Sequence, residues 1–384
     1  MFLDIFSLIC SNLPSTHSSL LTGEKSDRDL KSSSVNEMES IQSSILQKSK
    51  VAVITGANAG LGFTLADRLL SFYPDIQICL ACRNKERGLT AAAALTEKHP
   101  KANVHVEILD TSSVASVLSG TEAIRKRYDH IDYLYLNAGI MKVTGVDWNY
   151  FWKGLLSSRV FYMFATGEGL LCQEDGVTED GLQCVFQTNV FGHYVMVKEL
   201  EDRLGNVSST EQKPSQIIWT SSSASQAKNF KIEDFQHKNG KDPYSSSKFA
   251  IDILSVALNE KMNKQNVFSH SVCPGLVMTN MTYGILPQWF WTLMIPLLWL
   301  LHFFVPSMTN NTENGTEALI WLSAQDPMTL DPQTKYMSHV NVFNKSYVAK
   351  SKMNINPELA EKFIQELDQL NNSFQLKLKS KVKN

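Results

Sequence analysis

From Val51 onward, short apolar runs alternate with longer stretches whose apolar residues recur at helical spacing. Val51–Ile54, Ile76–Cys82, Val104–Leu109 and Ile131–Leu136 read as short buried strands. Between them, Phe63–Ser71, the Ala-rich Lys85–Lys98 and Val114–Arg127 read as helices. The rhythm continues with helix Gly181–Leu200, strand Gln216–Trp219, helix Tyr244–Met262 and strand Phe268–Val272. Apolar strands separated by helices need both sheet faces covered, as in parallel sheets. The expected fold is α/β, a doubly wound, Rossmann-like parallel sheet in a single domain.

Two segments break the rhythm. Met141–Thr178 is an aromatic insertion carrying Trp148, Tyr150, Phe151, Trp152, Phe161, Tyr162 and Phe164. Ile285–Val305 is the most apolar stretch and is about as long as a membrane helix. Pro287 and Pro296 argue against one straight span, and Trp289, Trp291 and Trp299 suit a membrane interface. Residues 1–48 are rich in Ser and charge and lack periodicity, so a disordered extension is expected there. Met1–Cys10 lacks the basic start of a signal peptide. The expected organisation is an extension over 1–48, a catalytic domain over 49–345 and a helical tail over 346–384.

Charge narrows the function. Lys plus Arg number 36 and Asp plus Glu 38, a net of −2, so nothing draws the chain to nucleic acid. Six cysteines scattered over 384 residues do not form a disulfide framework. Cys79 and Cys82 spell C-x-x-C inside a strand, where residues three apart face opposite ways. They are expected to hold neither a metal nor a disulfide, and no metal site is expected elsewhere.

Chemistry enters at Thr55-Gly56-Ala57-Asn58-Ala59-Gly60-Leu61-Gly62, between the first strand and the first helix. Glycines let a backbone turn tightly and let a pyrophosphate approach its N–H groups, and a helix start favours the anion. At the end of the second strand an acid would bond the ribose hydroxyls of NAD. The chain has Ala81-Cys82-Arg83 instead, and a guanidinium suits the 2′-phosphate of NADP. Asp110, ending the third strand, is placed to meet the adenine. Asn137-Ala138-Gly139, ending the fourth, would lie along the cofactor.

Tyr244 and Lys248 form Y-x-x-x-K on one helical face. A nearby ammonium favours the phenolate, and such a tyrosine can give a proton to a carbonyl oxygen while hydride moves at carbon. The strand Gln216–Trp219 runs into Ser221, Ser222 and Ser223, any of which can hold a substrate oxygen for Tyr244. Asn189 is a candidate anchor for a water relaying protons to Lys248. Pro274, Gly275 and Thr279, after the following strand, can cover the nicotinamide.

In this order the motifs resemble the short-chain dehydrogenase/reductase family over about Lys50 to Leu322. The resemblance implies a dinucleotide turn at Thr55–Gly62, a sheet-stabilising motif at Asn137–Gly139, and a catalytic tetrad of Asn189, a serine, Tyr244 and Lys248. Matching the second serine after the strand singles out Ser222, with Ser221 and Ser223 as alternatives. Many members place that serine thirteen residues before the tyrosine. Here that position is Lys231, so Ala224–Pro243 is longer than usual.

Further stretches, among them Leu80–Asn84, Tyr135–Met141, Thr188–His193, Glu233–His237 and Tyr283–Pro287, resemble the ketosteroid-reducing members. That likeness implies NADPH-dependent reduction of a 3-keto sterol during cholesterol synthesis, and of estrone to estradiol. The alternatives are another lipid carbonyl such as retinal, or an NADP-binding interaction protein without turnover. It also implies a membrane-associated lid at 285–305, a place on the cytosolic side of the endoplasmic reticulum, and a homodimer or a complex with other sterol-synthesis enzymes. The N-x-S/T sequons at Asn206, Asn280, Asn310, Asn314, Asn344 and Asn371 would then be silent.

Overall fold

The computed structural model describes residues 49–155, 157, 163, 169–205, 213–277, 306–309 and 311–382. The boundary between the two units of the chain falls after Lys48, where the apolar patterning begins. The extension expected over 1–48 and the apolar segment 285–305 lie outside the described residues.

In chain order the elements are β1 (Val51–Thr55), α1 (Gly60–Phe72), β2 (Gln77–Cys82), α2 (Lys85–Lys98), β3 (Asn103–Ile108), α3 (Val114–Arg127) and β4 (Tyr133–Leu136). Next come β5 (Val143–Val146), α4 (Trp148–Leu155) and β6 (Leu171–Gln173). Then follow α5 (Cys184–Phe186), a π-helical turn (Gln187–Phe191), α6 (Gly192–Glu199), β7 (Ser215–Thr220), α7 (Pro243–Met262) and β8 (Val267–Cys273). The last are α8 (Thr312–Gly315), α9 (Glu317–Ser323), β9 (Thr334–Val340), β10 (Ser346–Lys352) and α10 (Pro357–Val382).

Eight strands form one sheet in the order β10-β9-β8-β7-β4-β1-β2-β3. Every pairing is parallel except the β9–β10 hairpin. The order reverses between β1 and β4, which opens a crevice at their carboxyl ends, where ligands of such sheets bind.

Strand alternation divides the core in two. Val53, Cys79, Leu134, Ile217 and Trp219 join one apolar layer with α3, α6, α7 and α10. Ile54, Leu80, Cys82, Tyr135 and Ile218 join the other with α1, α2 and α9. Cys79 and Cys82 thus face opposite sides, as their spacing requires, and both thiols are free.

Three features differ from the sequence reading. Part of the aromatic insertion forms a small antiparallel sheet, β5 with β6, and the short helix α4. Residues 346–352 are not tail: Ser346–Lys352 pairs along all of β9, and the terminal helix starts only at Pro357. An exposed edge strand with polar alternation, SYVAKSK, carries too weak an apolar signal to be read as sheet. The expected helix Gly181–Leu200 begins at Cys184 and is interrupted by the π turn.

Helix α10 packs on the outer side of the α6–α7 pair. Phe363, Ile364, Leu367 and Phe374 are buried there, each contributing on the order of 2 kcal/mol by burial before entropy is counted. Tyr194 of α6 donates to Asp368 at 2.5 Å. No helix among the described residues is long and apolar enough to cross a membrane.

Candidate active site

The chain leaves β1 through Gly56 at φ +65° and enters α1 at Gly60 at φ +57°, both in the region that favours glycine. A Cβ on Gly62 would lie 2.6 Å from the Gly56 carbonyl oxygen and 2.8 Å from Asn137 Nδ2. The turn is therefore pressed onto the end of β4. Ala59, just before its helix, supplies no side-chain cap, and the first turn holds no acid. Uncapped N–H groups and the positive end of the helix dipole form a cradle for a phosphate.

Thr55 supports this turn from below rather than lining it. It is buried, and its hydroxyl accepts from the N–H of Asn137 and of Ala138, both at 2.9 Å. Asn137 in return donates Nδ2 to the Thr55 carbonyl at 3.0 Å. The Thr55 hydroxyl thus joins β1 to β4 and shapes the turn. Cys82, also beneath the turn, takes hydrogen bonds from the backbone of Ala57 and Asn58, while burial pushes its thiol up to about 11.

Arg83 stands at the end of β2 with 73 % of its side chain exposed, its Nε 3.9 Å from Asp110. The other oxygen of Asp110 accepts from Ser112 N–H and hydroxyl at 2.9 and 2.7 Å. That leaves the guanidinium open to a phosphate at the crevice rim. Leu61, Val277 and the Pro274 carbonyl meet at Gly315, whose hypothetical Cβ would touch all three. The Pro274–Gly275 loop is fixed by Leu276 N–H to the Ser307 carbonyl at 2.7 Å and by the Thr309 hydroxyl to the Pro274 carbonyl at 3.0 Å. Asn58 is half-buried in the turn, and Thr279 lies outside the described residues.

Tyr244 and Lys248 sit in the first turns of α7, which Asp242 caps by accepting from Ser245 N–H, with Pro243 at its first position. Of the three serines the structure brings Ser222 to the tyrosine, where its hydroxyl favours the phenolate. Ser222 also accepts from Ala224 N–H at 3.1 Å. Ser221 is turned away, its hydroxyl donating to the Lys248 carbonyl at 3.2 Å. The long segment before Tyr244 winds through two short 3-10 turns, Ala227–Asn229 and Ile232–Asp234. Lys231 lies between them, which explains the unusual spacing.

Desolvation pushes the Tyr244 phenol up to about 12, opposed by the Ser222 hydroxyl. Burial pulls Lys248 down to about 8, with Asp252 raising it and Lys335 lowering it. The lysine Nζ lies 5.4 Å from the centre of the Tyr244 ring and donates to the Thr220 carbonyl at 2.7 Å. In the chain alone, then, Lys248 does not hold Tyr244 as phenolate. The tyrosine is a protonated acid near neutrality, as a proton donor must be.

Asn189 occupies the π turn, where a wider helical ring re-aims its side chain. It accepts from Ile140 N–H at 2.8 Å and donates to the Ile140 carbonyl and the Ser247 hydroxyl, both at 3.0 Å. A Cβ on Gly139 would be 3.3 Å from Asn189 Oδ1 and 3.7 Å from Lys248 Nζ. Asn189, Gly139 and Lys248 therefore share one corner, and the end of β4 connects the cradle to the Tyr244–Lys248 pair.

Sequence reasoning passed over several side chains. His193 Nδ1 faces the Asn189 carbonyl at 3.1 Å and its Nε2 faces the Thr55 hydroxyl at 3.0 Å. Burial pulls its ring down to about 4, so it is neutral, with the proton on Nδ1 and Nε2 accepting from Thr55. It links the cradle to the π turn. Gln173 of β6 accepts from Tyr244 N–H at 3.1 Å and donates to Asp242 at 2.8 Å, so the small sheet steadies the start of α7. Asp252 lies one helical turn beyond Lys248. A polar stripe Tyr244, Lys248, Asp252 on an otherwise buried helix was the signal available for it.

Comparison with known proteins agrees with this arrangement. The short chain dehydrogenase family model matches residues 50–151 and 165–288. The chain is 46 % identical to the 3-keto-steroid reductase/17-beta-hydroxysteroid dehydrogenase 7 of Rattus norvegicus over 84 % of its length and 95 % of the relative's. The human protein of that name is also 46 % identical, over 84 % of this chain and 93 % of its own length. The 3-keto-steroid reductase erg27 of Schizosaccharomyces pombe is 35 % identical over 60 % of this chain and 69 % of its own. Among solved structures, salutaridine reductase from Papaver somniferum superposes with a TM-score of 0.51 at 21 % identity, covering 74 % of this chain and 98 % of that one. That likeness is one of fold. The chain is an oxidoreductase and belongs to the short-chain dehydrogenase/reductase family.

Proposed function

We propose that this chain reduces a steroid ketone to the alcohol with NADPH, Tyr244 giving the proton. The observation that carries the reading is Ser222 set at Tyr244 beside a buried lysine, in a chain 46 % identical to proteins named for 3-keto-steroid reduction. Bound NADPH would supply the hydride. Ser222 would hold the ketone oxygen and Tyr244 would protonate it. Lys248 would bond the ribose and, together with Asn189, restore the tyrosine proton. The turn Gly56–Gly62 would receive the pyrophosphate, with Asp110 at the adenine and Pro274, Gly275 and Thr279 over the nicotinamide.

The 3-keto sterol intermediate of cholesterol synthesis is the proposed substrate, with estrone at its 17-keto group as a second. The test is NADPH oxidation by the purified protein with a 3-keto sterol, estrone and retinal. The sterol should turn over with the highest kcat/KM. A clear preference for retinal would replace the substrate, and NADPH binding without any turnover would leave a binder.

Arg83 supports NADP over NAD, since an exposed guanidinium at this place favours a phosphate. Arg83→Ala should raise KM for NADPH about 10–100-fold, the value of one charge-assisted hydrogen bond, and leave KM for NADH unchanged. Equal effects on both cofactors would remove this role. We further propose that the chain works on the cytosolic side of the endoplasmic reticulum membrane, with the apolar residues 285–305 as its contact. The sequence of that segment supports this through its tryptophans and length. Burial of Asn314 and Asn371 accords with unused sequons, while Asn344 is exposed at a hairpin turn.

A further inference from the structure

Behind the proton-transfer group lies a second buried charge pair. Lys335 of β9 is 8 % exposed and Asp252 of α7 is 2 % exposed. Their charged atoms are 2.6 Å apart. Desolvating two ions costs several kcal/mol each, and an apolar pair of similar size would serve stability as well or better. The pair's hydrogen bonds indicate another use.

Asp252 accepts from the Ser271 hydroxyl of β8 at 2.6 Å with one oxygen. Its other oxygen meets Lys335 and accepts from the Ser225 hydroxyl. Lys335 donates in addition to the Ser222 carbonyl at 3.2 Å. The segment that carries Ser222 leaves the sheet after β7, with Ser221 N–H still bonded to the Val272 carbonyl of β8 at 2.7 Å and the Ala224 carbonyl taken by the Ser245 hydroxyl at 2.6 Å. Between and beyond these ties it is gripped at Ser222 by Lys335 and at Ser225 by Asp252. Asp252 is also one turn beyond Lys248 on the same face of α7, so the grip and the proton-transfer pair share one rigid element.

We infer that Lys335 and Asp252 are positioning residues, fixing the backbone of Ser222 so that its hydroxyl meets Tyr244. This rests on the proposed roles of Ser222 and Tyr244. The charges also balance each other near Lys248, which the cation of Lys335 disfavours and the carboxylate of Asp252 favours in its protonated form.

The experiment uses the full chain with NADPH and a 3-keto sterol, comparing wild type, Lys335→Met, Lys335→Arg and Tyr244→Phe. Lys335→Met should lower kcat about 10–100-fold, the scale of a displacement of about 1 Å at a reacting group, without changing KM for NADPH. Hydrogen exchange of the amides of residues 221–225 should quicken in the same variant. Lys335→Arg should restore most of kcat, because a guanidinium can span the carboxylate and the carbonyl. If Lys335→Met fails to fold, Ser225→Ala removes one bond to Asp252 and no charge, and it should lower kcat with KM for NADPH unchanged. Unaltered kcat and unaltered exchange in the folded variant would overturn the inference, whatever happens to Tm. A wild type inert on every ketone would reject the proposed function instead. The exchange of residues 221–225 would then decide the positioning claim by itself.

Discussion

Tyr244→Phe should cut ketone turnover by about 10²–10⁴-fold, the usual worth of a positioned proton donor, and leave NADPH binding intact. The reason is local. The phenol lies at Ser222, whereas the cofactor cradle is built from the β1 turn and the end of β4. Removing one hydroxyl disturbs no backbone contact. With its phenol pushed up to about 12, Tyr244 is protonated throughout the neutral range, so reduction is not limited by an ionised tyrosine. Alcohol oxidation runs in reverse and needs the phenolate, so its rate should rise with pH through the neutral range. Single-turnover stopped flow at several pH values checks both directions. Comparable turnover in Tyr244→Phe and wild type would end the proposed mechanism.

Gly62→Ala should be the most damaging single methyl group in the cradle. Its Cβ would meet the Gly56 carbonyl oxygen at 2.6 Å and Ala57 Cα at 2.9 Å, both backbone atoms that cannot rotate aside. Overpacking of this kind costs about 1–3 kcal/mol in stability. The turn must also open, which spoils the amides that would face the pyrophosphate. Losing one or two charge-assisted bonds corresponds to about a 10–100-fold rise in Kd for NADPH or more. Thermal melting with and without NADPH separates the two effects. A wild-type Kd alongside a lowered Tm would mean that the turn bears structure only.

Gly62 was legible in the sequence because a glycine needed for close backbone approach follows an apolar strand and opens a helix. Tyr244 and Lys248 were legible for a similar reason, since a helix fixes the i, i+4 relation. The choice among Ser221, Ser222 and Ser223 was not legible, because the chain leaves the strand there and periodicity stops. Only the tertiary placement of Ser222 at Tyr244 favours one of them. Lys335 was hidden more deeply. It lies far along the chain in a strand whose pairing with β8 is non-local, and nothing near it in sequence announces a partner on α7. The edge strand β10 was missed because a solvent-facing edge needs few apolar residues. The task of the Thr55 hydroxyl was not legible either, since a pattern shows where a hydroxyl sits and not where it points.

The strand order β10-β9-β8-β7-β4-β1-β2-β3 has a consequence for synthesis. Chains are made from the N-terminus and tend to fold in that order. β1 to β4, which bear the nucleotide cradle, emerge first and are neighbours on one side of the sheet. Lys335, which would steady Ser222, arrives only with β9, after α7 has left the ribosome. During translation the chain should therefore acquire the means to grip a nucleotide before it can use one, with the serine settling only after most of the protein has been made.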